Sequence, residues 1–233
     1  EVDVLTERCG LSVRALTSPS GYRSRYTDAA TLDLVVAAIA GTVNKRLVQR
    51  LFQAGVRAFG LSGIDAQLVR ARRKPALRVQ EGARVRVVRD DFSGHIEHVD
   101  AGVLEVLMGA GWTTVIAPPS ITAYGEIVNV DADRVAAAVA IALGSDVLVM
   151  LSNVPGVLRD PADPGTVVPH LQGDELADYE ARVTGRMKTK IAAGRRALDG
   201  GVPGVVIADS RVEEPVHQAL TRRQGTWLGS VVA

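Results

Sequence analysis

Aromatic side chains are scarce in this chain of 233 residues: Phe, Trp and Tyr make up 4% of it, whereas 47% of the residues are hydrophobic. The core must therefore be built from Val, Ala, Leu and Ile, the composition of buried parallel strands covered by helices. The length suffices for one large α/β domain or two smaller lobes. Together these features predict an α/β fold, a three-layer sandwich whose mostly parallel central sheet is flanked by helices.

Cysteine is almost absent, since Cys9 stands alone. One cysteine cannot form an internal disulfide, so we expect a reducing, cytoplasmic setting. Cys9 and the four histidines show no metal-ligand spacing, so no metal site formed by protein side chains is predicted. Apolar runs such as residues 135–143 fall short of the roughly 18 residues that cross a membrane, and no leader opens the sequence. We therefore expect no membrane partner.

The familiar nucleotide-binding loops are also missing. The sequence has no Walker loop, no protein-kinase glycine loop and no Gly-x-Gly-x-x-Gly motif, which excludes the common kinase and dinucleotide-binding classes. The formal net charge is only +1, but residues 70–89 hold eight basic side chains against Glu81 alone. Residues 68–89 alternate as a β-hairpin around Gly82, so the basic patch is predicted to project on a ribbon.

Residues 127–158 join a polar helix entrance to a buried strand. Asn129, Asp131 and Asp133 open an alanine-rich helix that Gly144 closes, and the strand at residues 147–151 runs into Ser152-Asn153-Val154-Pro155-Gly156. Carboxylates at a helix N-terminus either cap the helix or orient a cation for chemistry. Local sequence leaves both interpretations open.

Two further segments carry candidate ligand-binding groups. Arg25 precedes a helix that Thr27 or Asp28 caps, that is interrupted near Gly41 and that ends at Gly55; its planar guanidinium suits a substrate carboxylate, although a surface arginine is the alternative. Lys188 and Lys190 start a later helix. Positive charge there, with backbone amides after residue 151, suits phosphoryl transfer, in which catalysis is mostly positioning and charge neutralisation.

Several motifs in the same order give the chain a resemblance to the amino acid kinase family, and within it to the acetylglutamate kinase branch. The resemblance covers essentially the whole chain. The motifs are Arg25-Tyr26-Thr27-Asp28, Val43-Asn44-Lys45, Gly60-Leu61-Ser62-Gly63, Asn129-Val130-Asp131-Ala132-Asp133, Leu151-Ser152-Asn153-Val154-Pro155-Gly156-Val157 and Gly185-Arg186-Met187-Lys188-Thr189-Lys190.

The resemblance implies an activity and a site. Such a kinase phosphorylates the side-chain carboxylate of an N-blocked acidic amino acid with ATP and Mg²⁺, giving an acyl phosphate in amino acid biosynthesis. It implies that Lys190 and Asp133 are catalytic, with Lys190 stabilising the transferred phosphoryl group, and that Arg25, Tyr26 and Asn129 bind the substrate. The implied nucleotide site comprises Ser152, Asn153, Val154, Gly156, Val157, Lys188, Asp209 and Arg211.

Within this branch, the detailed sequences of the motifs most resemble those of the members that act on α-aminoadipate or glutamate attached to an acidic amino-group carrier protein. The basic patch supports this interpretation, because it would hold an acidic partner, so Arg70, Arg72, Arg73 and Lys74 are predicted to bind the carrier. A merely solvated hairpin is the alternative, and nucleic acid is not expected. A free N-acetylglutamate kinase and a non-catalytic regulatory protein on the same fold remain the other hypotheses.

The resemblance also predicts the domain organisation. Residues 1–122 form the substrate lobe and residues 123–233 the ATP lobe, on one continuous sheet. The family's opening strand with Lys-Gly-Gly and its second glycine loop have no counterpart here, so a first βαβ piece is expected to be absent from the substrate lobe. A homodimer is expected, with the apolar helix from Thr31 as its interface.

Overall fold

The computed structural model describes residues 2–19, 21–82 and 84–229. The chain forms two compact units, the first ending at Val135 and the second starting at Ala136. The first unit contains strands β1 (Ala15–Thr17), β2 (Arg23–Arg25), β3 (Ala58–Ser62), β4 (Val69–Arg73), β5 (Leu77–Glu81), β6 (Arg84–Val88), β7 (Gly94–Val99), β8 (Thr113–Ala117), β9 (Ser120–Ile121) and β10 (Ile127–Val128). Its helices are α1 (Val2–Arg8), α2 (Ala29–Val35), α3 (Asn44–Gln53) and α4 (Gly102–Gly109), with a 3-10 turn at Asp65–Gln67, and α5 (Ala132–Ala142) begins at its end.

One long helix crosses the first unit. Asp28 caps it, because its carboxylate accepts the Thr31 N–H at 2.9 Å, as the sequence predicts. Between α2 and α3 the helix is π-helical over Val36–Val43, and this segment contains the predicted interruption at Gly41. A π-helical segment contains wider turns than an α-helix, so it accommodates such an irregularity without ending the helix.

The helix is fastened to two parallel strands by Asn44. β3 and β8 run parallel, and the Asn44 Nδ2 donates to Leu61 O at 3.2 Å and to Val115 O at 2.8 Å. Asn44 is only 3% exposed, and its Oδ1 lies where a side chain at Gly60 would have to go, 2.2 Å from the position of a Cβ there. Glycine at position 60 therefore lets α3 approach β3 closely.

The predicted hairpin over residues 68–89 is wrong in its extent. The hairpin consists of β5 and β6 alone, paired from Leu77↔Val88 to Glu81↔Arg84. β4 instead pairs with β7 and β9 in a four-stranded sheet of order β10-β9-β4-β7. Alternation along β4 fits any antiparallel partner equally well, so it could not reveal that this strand pairs with a more distant one.

The second unit is built around one fully buried strand. Its strands are β11 (Val147–Ser152), β12 (His170–Leu171), β13 (Gly204–Asp209) and β14 (Thr226–Leu228), in the order β11-β13-β14-β12, and its helices are α6 (Gly173–Arg182), α7 (Gly185–Asp199) and α8 (Pro215–Leu220). All six residues of β13 are buried. α7 packs closely on this sheet because Gly194 has no side chain; a Cβ there would lie 2.7 Å from Leu228 Cδ1.

Strand pairing within the two units combines parallel and antiparallel neighbours. Hydrogen bonds join the described strands into five sheets, in which β3–β8, β4–β9, β11–β13 and β12–β14 are parallel pairs and the other pairs are antiparallel. Part of the mixing comes from short connections, such as the tight turn that makes β9 and β10 antiparallel. No helix in the described part of the chain is both long and apolar enough to cross a membrane.

Candidate active site

Ser152 and Asp209 lie opposite each other at the carboxyl ends of two parallel strands. The register of β11 and β13 pairs these two residues, and the Ser210 N–H donates to Ser152 O at 2.7 Å. Ligands of open α/β sheets bind outside the carboxyl ends of the strands. This edge of the second unit is therefore the candidate nucleotide site, and both residues were predicted to belong to it.

The loop after β11 is tied to β14 by Thr226. The Thr226 hydroxyl accepts the Val157 N–H at 2.8 Å and donates to Val168 O at 2.6 Å. Gly156 lies against the same residue at φ +157°, and a Cβ there would come within 2.7 Å of Thr226 Oγ1. The loop that begins at Ser152 thus returns to a fixed point, with Asn153 exposed and Val154 half-buried.

Val157, which was predicted to bind the nucleotide, has a buried side chain. Its side chain is 0% exposed within the hydrophobic core, and its N–H is already bonded to Thr226. Val157 directly follows the loop, so the sequence alone did not show where the loop ends and the buried segment begins. Its buried side chain and its bond to Thr226 anchor the end of the loop.

Asp209 and Arg211 form a bidentate ion pair beside this edge. Arg211 donates from Nε to Asp209 Oδ1 at 2.8 Å and from Nη2 to Oδ2 at 2.7 Å, and its backbone N–H also bonds Oδ1 at 2.9 Å. The hydrogen bonds and charge of Arg211 lower the pKa of Asp209 to about 2. Asp209 is therefore ionised at neutral pH, and it fixes Arg211 at the strand end.

Lys188 and Lys190 lie in the first turns of α7. Thr184 occupies the cap position of this helix without a side-chain capping bond, and both lysines are half-buried. Residues two positions apart are separated by about 200° around the helix axis. The side chains of the two lysines therefore leave the helix on different sides. The N-terminal end of a helix also attracts anions through its dipole.

Asp131 caps the start of α5, and Asp133 lies in the first turn. Asp131 Oδ1 accepts the Arg134 N–H at 3.1 Å, so the capping interpretation is correct for this residue. Asp131 is exposed, and partial desolvation of its carboxyl by neighbouring protein atoms, with the charge of Asp133, raises its pKa against the opposite effect of the Arg134 N–H. Asp133 is half-buried.

Residues 91–94 connect the predicted substrate-binding segments; we call them the central segment. The buried carboxylate of Asp91 accepts the Thr27 N–H at 2.9 Å and the Ser93 N–H at 2.7 Å. The Phe92 N–H donates to Thr27 O at 2.7 Å, and the Asn129 N–H donates to Phe92 O at 2.8 Å. Asn129 also donates from Nδ2 to Thr27 Oγ1 at 3.0 Å. Thr27 and Asn129, 102 positions apart, thus lie side by side.

Arg25 ends β2, two residues before this arrangement. Its Nη2 pairs with Asp3 Oδ1 at 2.5 Å, while its Nη1 is buried and has no hydrogen-bond partner among the described residues. A buried donor without an acceptor is costly unless a ligand satisfies it. The Arg25 Nη1 therefore remains able to donate to an anionic group.

Tyr26 has a packing role in the structure. It is 7% exposed, belongs to a small core with Leu16, Val79 and Val88, and donates its hydroxyl to Asp90. That hydrogen bond, with burial, raises the pKa of Tyr26. Its predicted contact with substrate is therefore limited by bonds that its side chain already makes.

The four predicted carrier-binding residues differ in their exposure. Arg70 and Arg72 are exposed on β4, and Arg72 pairs with Glu97 at 2.9 Å. Arg73 is held inward by Glu126 at 2.7 Å, by Asp91 O at 3.0 Å and by the ring of Phe92. Lys74 is half-buried next to the central segment. The structure therefore does not place these residues on one solvated ribbon.

Sequence reasoning missed the central segment and Thr226. The local sequence does not single out residues 91–95, yet Asp91 is 1% exposed and its carboxylate accepts the N–H of Thr27, 64 positions away. The available signal was an Asp-Phe-Ser-Gly turn, which does not reveal long-range partners. The described residues contain no group of three or more His, Cys, Asp or Glu side chains that could hold a metal ion.

Comparison with known proteins assigns the chain to one family. The profile of the amino acid kinase family matches residues 1–209. The chain belongs to the amino acid kinase family, and the fold class predicted from its motifs is confirmed.

Sequence relatives of the chain include two kinases with named substrates. The chain is 40% identical over 220 residues to a [LysW]-aminoadipate kinase from Deinococcus radiodurans, covering 94% of this chain and 75% of that protein. It is 37% identical over 211 residues to an acetylglutamate kinase from Methanopyrus kandleri, covering 90% of this chain and 82% of that protein.

Two solved structures share the fold. N-acetylglutamate synthase from Neisseria gonorrhoeae, complexed with coenzyme A and N-acetyl-glutamate, superposes with a TM-score of 0.76 at 25% identity, over 100% of this chain and 50% of that one. Carbamate kinase from Giardia lamblia, bound to AMP-PNP, superposes with a TM-score of 0.60 at 16% identity, over 84% of this chain and 76% of that one. At 16% identity the second match shows the fold alone.

Proposed function

We propose that the protein transfers the γ-phosphoryl group of ATP to the side-chain carboxylate of α-aminoadipate, or a close analogue, whose amino group is attached to an acidic carrier protein. The observation that carries this proposal is the 40% identity, across 94% of the chain, to a kinase named for that kind of substrate. A carboxylate oxygen attacks the γ-phosphorus, the bond to the β-phosphate oxygen breaks, and an acyl phosphate and ADP result. The acceptor is already ionised, so no general base is required.

The substrate site is proposed to lie at the central segment. Arg25 supplies the charge for a substrate carboxylate, because its buried Nη1 has no acceptor among the residues that the structure describes. Asn129 is held by Thr27 and Phe92, so its position is fixed before substrate arrives. A preformed site loses little entropy when it binds its ligand.

The phosphoryl group is proposed to be stabilised by α7. Lys190 neutralises the charge that develops on the transferred group, Lys188 neutralises the nucleotide phosphates, and Asp133 is proposed as a further catalytic residue. Such fixed charges contribute most where little water competes with them. Ser152, Asn153, Val154, Gly156, Asp209 and Arg211 are proposed to hold the nucleotide through the edge of β11 and β13, with Val157 as the anchor of the loop.

Mg²⁺ fits this arrangement as an ion carried by the substrate. It prefers phosphate oxygens and water with one or two carboxylates, and the described residues hold no cluster of three protein ligands. When bound on the ATP phosphates it would neutralise their charge. The protein groups then need only to orient the nucleotide.

The carrier is proposed to dock on the basic residues of β4. Arg70 and Arg72 are exposed, Arg72 in a surface ion pair with Glu97, and they offer positive charge to an acidic partner, whereas the less exposed Arg73 is paired with Glu126. Charge complementarity of this kind mainly raises the association rate and is weakened by salt.

The test compares acceptors with the complete protein. Acyl phosphate is trapped with hydroxylamine while ATP is supplied with carrier-linked aminoadipate or with free N-acetylglutamate. Faster turnover of the carrier-linked substrate supports the proposal. Efficient turnover of N-acetylglutamate, with no gain from the carrier, favours the second candidate, which the identity to acetylglutamate kinase supports. Binding of both ligands without turnover would identify a regulatory protein.

We also propose that the protein is a homodimer through the long helix. α3 exposes Leu47 and Phe52, the latter 78% exposed, and large apolar groups at that exposure are typical of interfaces. Light scattering measures the mass in solution. A dimer that Phe52→Glu converts to a monomer supports the proposal, and a monomeric parent protein contradicts it.

A further inference from the structure

Gln224 contacts both ends of the loop that carries Arg211. This loop, residues 210–214, leaves β13 at Asp209 and enters α8 at Pro215. The Gln224 Oε1 accepts the Asp209 N–H at 3.1 Å, and the Gln224 Nε2 donates to Asp209 O at 3.2 Å and to Pro215 O at 3.0 Å. One half-buried carboxamide therefore fastens the loop where it begins and where it ends.

The carboxamide takes the place of backbone hydrogen bonds between two strands. β14 is antiparallel to β13, with Thr226 opposite Ile207, and this register extended by two residues brings Gln224 opposite Asp209. At that point the bonds to the Asp209 backbone come from the Gln224 side chain, which can donate and accept as a peptide group does. The last residue of β13 is therefore held as if a neighbouring strand continued beside it.

The segment around Gln224 is itself held close to β13. Gly225 has φ +91°, and a Cβ at this position would lie 2.7 Å from Ile207 O, so glycine allows the chain to pass at this distance. Thr226 follows, with the two hydrogen bonds that tie the loop after β11. Gln224 and Thr226 therefore act on the two loops of the candidate nucleotide site from one short, fixed segment.

We propose that Gln224 is a positioning residue for the nucleotide. It fixes Asp209 and the loop that follows, and the ion pair then holds the Arg211 guanidinium in a constant place beside the loop that begins at Ser152. Gln224 acts through these residues rather than by touching ATP. The inference rests on the proposed function, which takes Asp209 and Arg211 as nucleotide-binding residues. A site that is ordered before its ligand arrives loses less entropy on binding.

Gln224→Met tests this role, because methionine keeps the length of the side chain but cannot donate to Asp209 O or Pro215 O. Titration calorimetry measures the Kd for ATP with Mg²⁺ on the complete protein, and initial rates give the KM for each substrate. The Kd and KM for ATP are expected to rise about tenfold, the size of one to two net hydrogen bonds, with the acceptor KM unchanged. Gln224→Asn keeps the carboxamide but is one methylene shorter and cannot span both backbone segments, so an intermediate rise is expected.

Gln172→Met is the matched control, since this exposed glutamine before α6 makes no side-chain capping bond, and thermal unfolding shows which variants are folded. An unchanged Kd for ATP in folded Gln224→Met, or in Gln224→Asn if the methionine variant does not fold, overturns the inference alone. An equal rise in the acceptor KM also overturns it, because a general loss of structure impairs both substrates. If the unmodified protein binds no ATP, the proposed function fails and the inference with it. If it binds ATP but phosphorylates no acceptor, only the proposed function fails, and the comparison of Kd values still decides the role of Gln224.

Discussion

Replacing Thr226 by valine tests how the candidate nucleotide loop is held. Valine keeps the shape of threonine, but it can neither accept the Val157 N–H at 2.8 Å nor donate to Val168 O at 2.6 Å. Thr226 is 0% exposed, so water cannot replace these bonds. A buried polar group left without a partner costs about 1–3 kcal/mol, so the loss of both bonds should destabilise the second unit by about 2–4 kcal/mol.

Thr226→Ser is the matched control, because it keeps the hydroxyl and loses one methyl group, at a cost of about 1 kcal/mol. Urea unfolding followed by the fluorescence of Trp227 measures the free energy of unfolding. All variants carry Trp112→Phe, so that Trp227 is the only tryptophan that contributes to the signal. The valine variant should also raise the KM for ATP, since the loop that starts at Ser152 loses its tether. Equal free energies of unfolding for the valine and serine variants would refute this account.

Three further predictions address single charges. Arg25→Lys keeps the charge but loses the planar fork, so initial-rate kinetics should show the acceptor KM raised by about tenfold and the KM for ATP unchanged; an unchanged acceptor KM contradicts its role. Lys190→Met should lower kcat by about a hundredfold or more with an unaltered circular dichroism spectrum, and near-normal turnover would remove it from the chemistry. The Arg211 hydrogen bonds lower the pKa of Asp209 to about 2 from 3.8. The pair therefore stabilises the fold above about pH 4 and loses this effect as the pH falls toward about 2, so Asp209→Asn should flatten that part of a stability–pH curve, and an unaltered curve would contradict the assignment.

Local chemistry in the sequence predicts where elements begin and end. Asp28 caps the long helix, Gly55 follows its end at φ +78°, and Gly144 follows α5 at φ +57°, all as expected from residue type. The buried strand that became β11 was equally visible, because its apolar run is bounded by polar turns. These features depend on neighbours within a few positions.

Pairings between distant segments could not be predicted in the same way. The Asp91 contact with Thr27 spans 64 positions, and an Asp-Phe-Ser-Gly turn has the same local appearance with or without it. Arg73 was grouped with its exposed neighbours for the same reason, since its partner Glu126 lies 53 positions away. The charges and the alternating pattern of a strand indicate which residues lie on each face, but not which other segment of the chain packs against that face.

The close fit of Asn44 and Gly60 makes these two positions interdependent. The Asn44 Oδ1 fills the volume that a Cβ at position 60 would occupy, and the Asn44 Nδ2 joins the backbones of β3 and β8. Gly60→Ala would therefore displace the carboxamide and break both of its hydrogen bonds, and Val48 Cγ2, 2.8 Å from the same Cβ position, would still have to shift if residue 44 were shortened. A double-mutant cycle of Gly60→Ala with Asn44→Ala should therefore be non-additive, because the alanine at position 60 already breaks the hydrogen bonds that the change at position 44 removes.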